Sequence, residues 1–245
     1  MNIFRAHRPA TLAELRAQLD TLEARSRRVG PAALPFGLAV IDQALPWQGL
    51  PRGALHAIVG AEGDGAPAGF CIALLARLSA IGPVLWITEA RELYAPGFAA
   101  LGLDPARLLL VEATRRKDKL WALEEALRTP ALAAAVAEID TLDLTASRRL
   151  QLAAETHGVS ALLLGTGEDA LSEARAARTR WHVAAVPSIS GEGDIGPPHW
   201  RLTLEHCRGA APAAWTVIWH NGEWREVDSP NRTALSAVAP RRARA

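Results

Sequence analysis

The chain has 245 residues, 49% of them hydrophobic, and a formal net charge of +1. This length and composition are typical of one large α/β domain, alone or with short appendages. The near-zero net charge excludes a general electrostatic attraction to nucleic acid or to membranes, and the two cysteines are too few for a disulfide framework. Because the sequence shows no apolar signal segment and no run long enough to span a membrane, we expect a cytoplasmic protein.

The first predicted element is an amphipathic helix over residues 11–28, within an N-terminal segment of residues 1–30. Thr11 and Glu14 form a capping-box pattern and Gly30 ends the segment. The apolar face carries Leu12, Leu15, Leu19 and Leu22. Two heptads do not form a stable free coiled coil, so this helix must dock, either on its own domain or on a partner. Both alternatives stay open.

The central stretch is the glycine-rich segment that follows an apolar strand predicted over residues 55–59. Gly60 and Gly65 have the spacing of a phosphate-binding loop, G-x-x-x-x-G-K-[ST], and Gly63 lies between them. However, Ala66 stands where the lysine belongs and Pro67 where the magnesium-binding hydroxyl belongs. We therefore expect a degenerate loop that only turns a strand into a helix. No cofactor is predicted, and ATP with magnesium belongs only to an alternative hypothesis.

Strand and helix patterns alternate after this loop. Helices are predicted over residues 68–80 and 117–128 and from Thr145 to a stop at Gly158, and strands over residues 84–87, 108–111, 133–139 and 161–165. This order predicts βαβ units, and therefore a mostly parallel sheet with helices on both faces.

Two acids follow predicted strands at the sheet edge where ligands of open α/β proteins bind. Glu89 could act as a general base for water, and Asp140, or Glu138 at the end of the predicted strand, could bind magnesium. Without a phosphate partner both are interpreted as vestigial, so no catalytic residue is predicted. The late His and Cys residues match no compact zinc pattern, and no metal site is expected.

The last part of the core predicts an antiparallel edge. Residues 181–186, 200–205 and 215–219 are short tryptophan-containing segments joined by Gly/Pro loops. They close a core domain of residues 31–226, and residues 227–245 are predicted to be a disordered tail. Arg241, Arg242 and Arg244 of this tail are candidates for contact with a partner or with nucleic acid.

The order of these elements resembles the RecA core, and the details are most similar to the ImuA family of damage-inducible mutagenesis proteins. The resemblance covers residues 34–219, and its most specific pieces are Gly49-Leu50-Pro51-Arg52-Gly53, the loop of residues 60–67, Leu101-Gly102-Leu103-Asp104, residues 148–155 and residues 215–219. An active recombinase would have its catalytic glutamate at Ala90, one residue beyond Glu89. It would also have long DNA-contacting loops where helices are predicted here, at Thr145 and near Asp169.

The resemblance implies a non-catalytic accessory protein of the SOS response and of translesion DNA synthesis. Its implied partners are an ImuB-type polymerase-like protein and an error-prone C-family DNA polymerase, with RecA as a further candidate. DNA contact would be indirect or weak, and no membrane contact is implied. The alternatives are a divergent DNA-dependent ATPase of the RecA superfamily, a SulA-like inhibitor of the division GTPase FtsZ, and a plain DNA-binding module.

Overall fold

The computed structural model describes residues 32–89, 94–167, 169–188 and 196–227. The predicted N-terminal helix, with its four leucines, and the arginine cluster of the C-terminal tail lie outside these residues. Ala90 also lies outside them. The domain boundaries at residues 30 and 227 therefore stay predictions.

Eleven strands occur in the described residues: β1 (Ala33–Leu34), β2 (Leu50–Pro51), β3 (Leu55–Gly60), β4 (Val84–Thr88), β5 (Leu108–Glu112), β6 (Ala134–Glu138), β7 (Ser160–Thr166), β8 (Thr179–Ala185), β9 (His199–Cys207), β10 (Ala213–His220) and β11 (Glu223–Glu226). The α-helices are α1 (Ala39–Asp42), α2 (Ala66–Leu78), α3 (Ala95–Ala100), α4 (Arg116–Leu127) and α5 (Leu144–His157), with a 3₁₀ turn at Pro105–Arg107. None of these helices is long and apolar enough to cross a membrane.

Nine of the strands form one sheet in the order β11-β10-β9-β8-β3-β7-β6-β4-β5. The six strands from β8 to β5 in this order run parallel, and β9, β10 and β11 continue the sheet antiparallel. The predicted fold class, a mostly parallel α/β sheet with an antiparallel C-terminal edge, is confirmed and is consistent with a RecA-like core. One detail was wrong: β8, expected as antiparallel, is parallel to β3 and antiparallel only to β9.

Helices cover both faces of the parallel part. Alternate residues of β3 divide between two cores, with Ile58 facing α2 and both Ala57 and Val59 facing the side covered by α4 and α5. Such strands are buried on both faces, which explains their continuous apolar sequences. The helices predicted over residues 68–80 and 117–128 and from Thr145 to Gly158 occur as α2, α4 and α5, with boundaries shifted by one or two residues.

Two local predictions were wrong. Helix α5 is capped by Asp143, whose Oδ1 accepts from Ala146 N at 2.8 Å, and Thr145 lies inside the helix. No helix begins near Asp169 in the described residues; turns connect β7 to β8 instead. The Arg180 guanidinium donates to the carbonyl oxygens of residues 170 and 171, at 2.9 Å each, and this contact holds the connection in its turn conformation.

The late tryptophans belong to the core. Trp181, Trp200, Trp219 and Trp224 are at most 5% exposed and pack around Phe70 of α2 or around one another. Because their ring faces are occupied by other aromatic rings, these four side chains are not available to stack nucleic-acid bases.

Candidate functional site

The candidate site is the turn from β3 to α2, at the carboxyl end of the parallel sheet. Gly60 ends β3, and a Cβ atom on it would lie 2.3 Å from Pro67 Cγ and 2.6 Å from Val183 O. A side chain at position 60 would clash with Pro67, the residue that stands where a phosphate-binding loop has its magnesium-binding hydroxyl. Position 60 therefore has to be glycine.

The N-terminus of α2 carries a carboxylate from the loop itself. Asp64 Oδ1 accepts a hydrogen bond from Ala66 N at 2.8 Å, and Asp64 Oδ2 accepts one from Ala185 N at 2.9 Å. A bound phosphate would accept from the same end of the helix, where backbone N–H groups and the helix dipole favour negative charge. Asp64 thus places a negative charge at the N-terminus of α2, and it also ties the loop to β8.

The side chains of Ala66 and Pro67, which stand where a phosphate-binding loop has its lysine and its hydroxyl, are buried. Ala66 is 4% exposed and Pro67 is also buried, at the first two positions of α2. Pro67 has no N–H, so it removes one of the donors that the first helical turn would offer to a phosphate. This turn can therefore give a phosphate fewer hydrogen bonds than an intact phosphate loop.

Glu89 lies at the end of β4 beside a buried lysine. Lys119 Nζ, on α4, donates to Glu89 Oε1 at 2.7 Å and to Glu138 O at 2.8 Å. The side chain of Lys119 is 8% exposed, whereas that of Glu89 is 61% exposed. A lysine of this chain does reach the carboxyl end of the sheet, but its ammonium group is held by these two oxygens.

Glu138 ends β6 and joins that strand to β4. Its Oε1 accepts from Trp86 Nε1 at 2.7 Å and its Oε2 from Thr88 Oγ1 at 2.6 Å. Both carboxylate oxygens therefore hold the sheet together. A general base for water would need an oxygen turned toward a bound substrate.

Asp140 lies two residues beyond β6 and joins it to β7. Its Oδ1 accepts from Thr166 N at 2.9 Å, and Thr166 Oγ1 lies 3.3 Å from the same oxygen. Thr166 of β7 is paired with Gly60 of β3, so one strand, β7, lies between Asp140 and the loop. Within the described residues, no group of three or more His, Cys, Asp or Glu side chains could hold a metal ion.

The structure thus brings the loop and both predicted acids to one edge of the sheet. Sequence reasoning missed the roles of Asp64 and Lys119. The signal for Asp64 was an acid just before the helix start, where aspartate commonly caps. Lys119 gave no local signal, because its partners are 30 and 19 residues away.

The fold and this edge define an α/β protein, consistent with a RecA-like core, whose glycine-rich β3–α2 loop carries a carboxylate at the start of α2. No family model matches the chain. The chain is similar to Protein ImuA of Caulobacter vibrioides in two strains, NA1000 / CB15N and ATCC 19089 / CB 15. In each case it is 40% identical over 212 residues, which cover 80% of this chain and 86% of the relative. The chain therefore belongs to the ImuA family.

Proposed function

We propose that this protein is a non-catalytic accessory factor of SOS-induced mutagenesis and translesion DNA synthesis. It acts by contacts with an ImuB-type polymerase-like protein and an error-prone C-family DNA polymerase, with RecA as a further candidate partner. Membership of the ImuA family supports the involvement in damage-inducible mutagenesis. The partners come from the resemblance alone, and the non-catalytic role is argued from the loop.

The observation that carries the non-catalytic role is the position of Asp64. A triphosphate would have to displace this carboxylate from the N-terminus of α2 or lie beside its negative charge. It would also lack the lysine and the magnesium-binding hydroxyl at positions 66 and 67. Each hydrogen bond to a charged group contributes about 1.5–3 kcal/mol. The loss of two such contacts weakens binding by about 10²- to 10⁴-fold.

The surroundings of the two acids support the same proposal. Glu89 is paired with Lys119, and Asp140 is bonded to Thr166. Both acids therefore have a structural role in these contacts. Phosphoryl transfer depends on positioned groups that neutralise the developing charge, and here the Lys119 ammonium group is already paired with Glu89.

The test is damage-induced mutation frequency in cells whose own gene is replaced by a variant. Glu89→Gln with Asp140→Asn keeps the size of both side chains and removes the charges that an ATPase would use. We expect the wild-type frequency, because a scaffold does not need these charges. A loss comparable to gene deletion, with normal protein level, would favour the divergent ATPase instead.

A second experiment addresses the partners. Tagged full-length protein is expected to co-precipitate the ImuB-type protein from damaged cells, with or without added ATP. Removal of residues 1–30, which carry the predicted leucine face, is expected to abolish this capture. Undiminished capture by the shortened chain would contradict the predicted role of that helix. Capture of FtsZ with arrest of septation would favour the SulA-like alternative.

A further inference from the structure

Two large apolar side chains point away from the sheet on the outer surface of α4 and α5. Trp121 of α4 is 67% exposed and Leu152 of α5 is 64% exposed. Each lies on the side of its helix opposite the residues that face the core. The salt bridge from Arg149 Nε to Glu124 Oε2, at 2.9 Å, joins the two helices. A further helix that lies over the groove between α4 and α5 would therefore contact both apolar side chains.

The chain enters the described domain beside the C-terminal end of α5. Ala32, the first described residue, lines one cleft together with Glu155 and Gly158 at that end of the helix. Ala32 is held there because its carbonyl oxygen accepts a hydrogen bond from Arg52 N at 2.8 Å. The helix predicted over residues 11–28 ends four residues before Ala32, and four residues span at most about 14 Å. The end of the predicted helix is therefore tethered close to the end of α5.

The leucine face of the predicted helix matches this surface in length when the helix runs beside α5 in the same direction. Leu22 lies six residues, about 9 Å, before the end of the predicted helix at residue 28. Leu152 lies five residues, about 7.5 Å, before the end of α5 at His157, so the two leucines come level. Trp121 is nearer the start of α4 than Leu152 is to the start of α5. The leucines that precede Leu22 therefore reach the level of Trp121.

We propose that the helix predicted over residues 11–28 docks on the outer surface of α4 and α5 of its own chain, with its leucine face over Trp121 and Leu152. A single helix of this length is marginally stable in water and needs a surface on which to bury its apolar face. The short connection to Ala32 favours docking within one chain, because it keeps the helix at a high effective concentration beside its own α5.

The docked helix would regulate access to the leucine face. The contact itself does not depend on the proposed function, but this consequence rests on it, since the proposed function assigns the leucine face to the partner. While the helix is docked, its leucines are covered by the α4 and α5 surface. A partner that uses these leucines therefore has to displace the helix from Trp121 and Leu152.

The test is the rate of thiol alkylation of Leu152→Cys in the purified full-length protein, without a partner. The native thiols give little background, because Cys71 is fully buried and Cys207 is 5% exposed. The rate is compared in three backgrounds that differ only in the predicted helix. One is unchanged, and one carries Leu15→Asp with Leu19→Asp, which places two charges in the leucine face. The matched control carries Ala17→Asp with Ala24→Asp, which places the same charges on the opposite side of the predicted helix.

We expect the thiol at position 152 to react about tenfold faster in the leucine-face background than in the other two, because the docked helix covers it. Ile81→Cys, at a 52% exposed position just beyond α2, should react at one rate in all three backgrounds. Equal rates at position 152 in all three backgrounds would overturn the proposal, and would be expected if a different protein covers this surface. Protection that disappears on dilution would also overturn it, because the helix would then come from a second copy of the chain.

Discussion

Acidification is expected to destabilise this fold through His56, a fully buried residue of β3. His56 Nε2 lies 2.9 Å from Pro51 O, and Nδ1 lies 2.8 Å from Thr179 Oγ1. Because Pro51 O can only accept, Nε2 carries the proton of a neutral ring and Nδ1 accepts from the Thr179 hydroxyl, whose oxygen also accepts from Trp181 Nε1 at 2.8 Å. This geometry fits a neutral ring with its proton on Nε2. A second ring proton would meet a donor.

Burial lowers the pKa of His56 from 6.5 to about 4, with the charge of Arg178 adding to the decrease and the Pro51 carbonyl opposing it. Above pH 6.5 the ring is neutral in both the folded and the unfolded chain. Below pH 6.5 the unfolded chain binds a proton that the folded chain excludes, so stability falls and levels off below pH 4. The expected loss of unfolding free energy is about 2 kcal/mol at pH 5 and about 3 kcal/mol in full.

The assay is urea denaturation of wild type and of His56→Gln between pH 7.5 and pH 4. Glutamine supplies a donor and an acceptor but does not titrate, and the other ionisable groups cancel in the comparison. We expect the stability of wild type relative to the variant to fall by about 2 kcal/mol between pH 7.5 and pH 5. A difference that does not change with pH would refute this reasoning.

Three further predictions concern the carboxyl end of the sheet, and urea denaturation tests each. Gly60→Ala is expected to lower the free energy of unfolding by about 1–3 kcal/mol, because the new Cβ would lie 2.3 Å from Pro67 Cγ. Gly65→Ala is the control. Its Cβ would have nothing within 4 Å, so the free energy of unfolding should change by less than about 0.5 kcal/mol. Asp64→Ala should lower the free energy of unfolding by about 1–2 kcal/mol, because it removes the two hydrogen bonds that the carboxylate accepts from backbone amides. The control Glu62→Ala changes an exposed side chain and should have little effect. Equal losses for the two variants would contradict a stabilising role of Asp64 at the start of α2. Lys119→Met should cost about 1–3 kcal/mol by removing two hydrogen bonds, and an unchanged midpoint would contradict it.

The fold was predictable where one local pattern decided the structure. The apolar run at residues 55–59 became β3, and the segment that ends at Gly158 became α5, because burial on two faces and a helix stop both leave local signals. Ala66 and Pro67 differ from a phosphate-binding sequence at two defined positions, but the loss of nucleotide binding that this implies stays a prediction.

Features set by distant contacts were not predictable. The strand β11 reads Glu-Trp-Arg-Glu, a polar pattern that becomes a strand through pairing with β10 and burial of Trp224. The direction of β8 depends on its neighbour β3, which no residue of β8 specifies. Asp64 bonds to residue 185, far along the chain, so its second contact has no signal in the loop sequence.

The central claim is that the phosphate loop holds its own carboxylate in place of a nucleotide. It is tested most directly by isothermal titration of the purified full-length protein with ATP and magnesium, with RecA on single-stranded DNA as the positive control. We expect no saturable heat for this protein. Saturable binding at micromolar ATP would contradict it, because the nucleotide would then have displaced Asp64 without the help of a loop lysine.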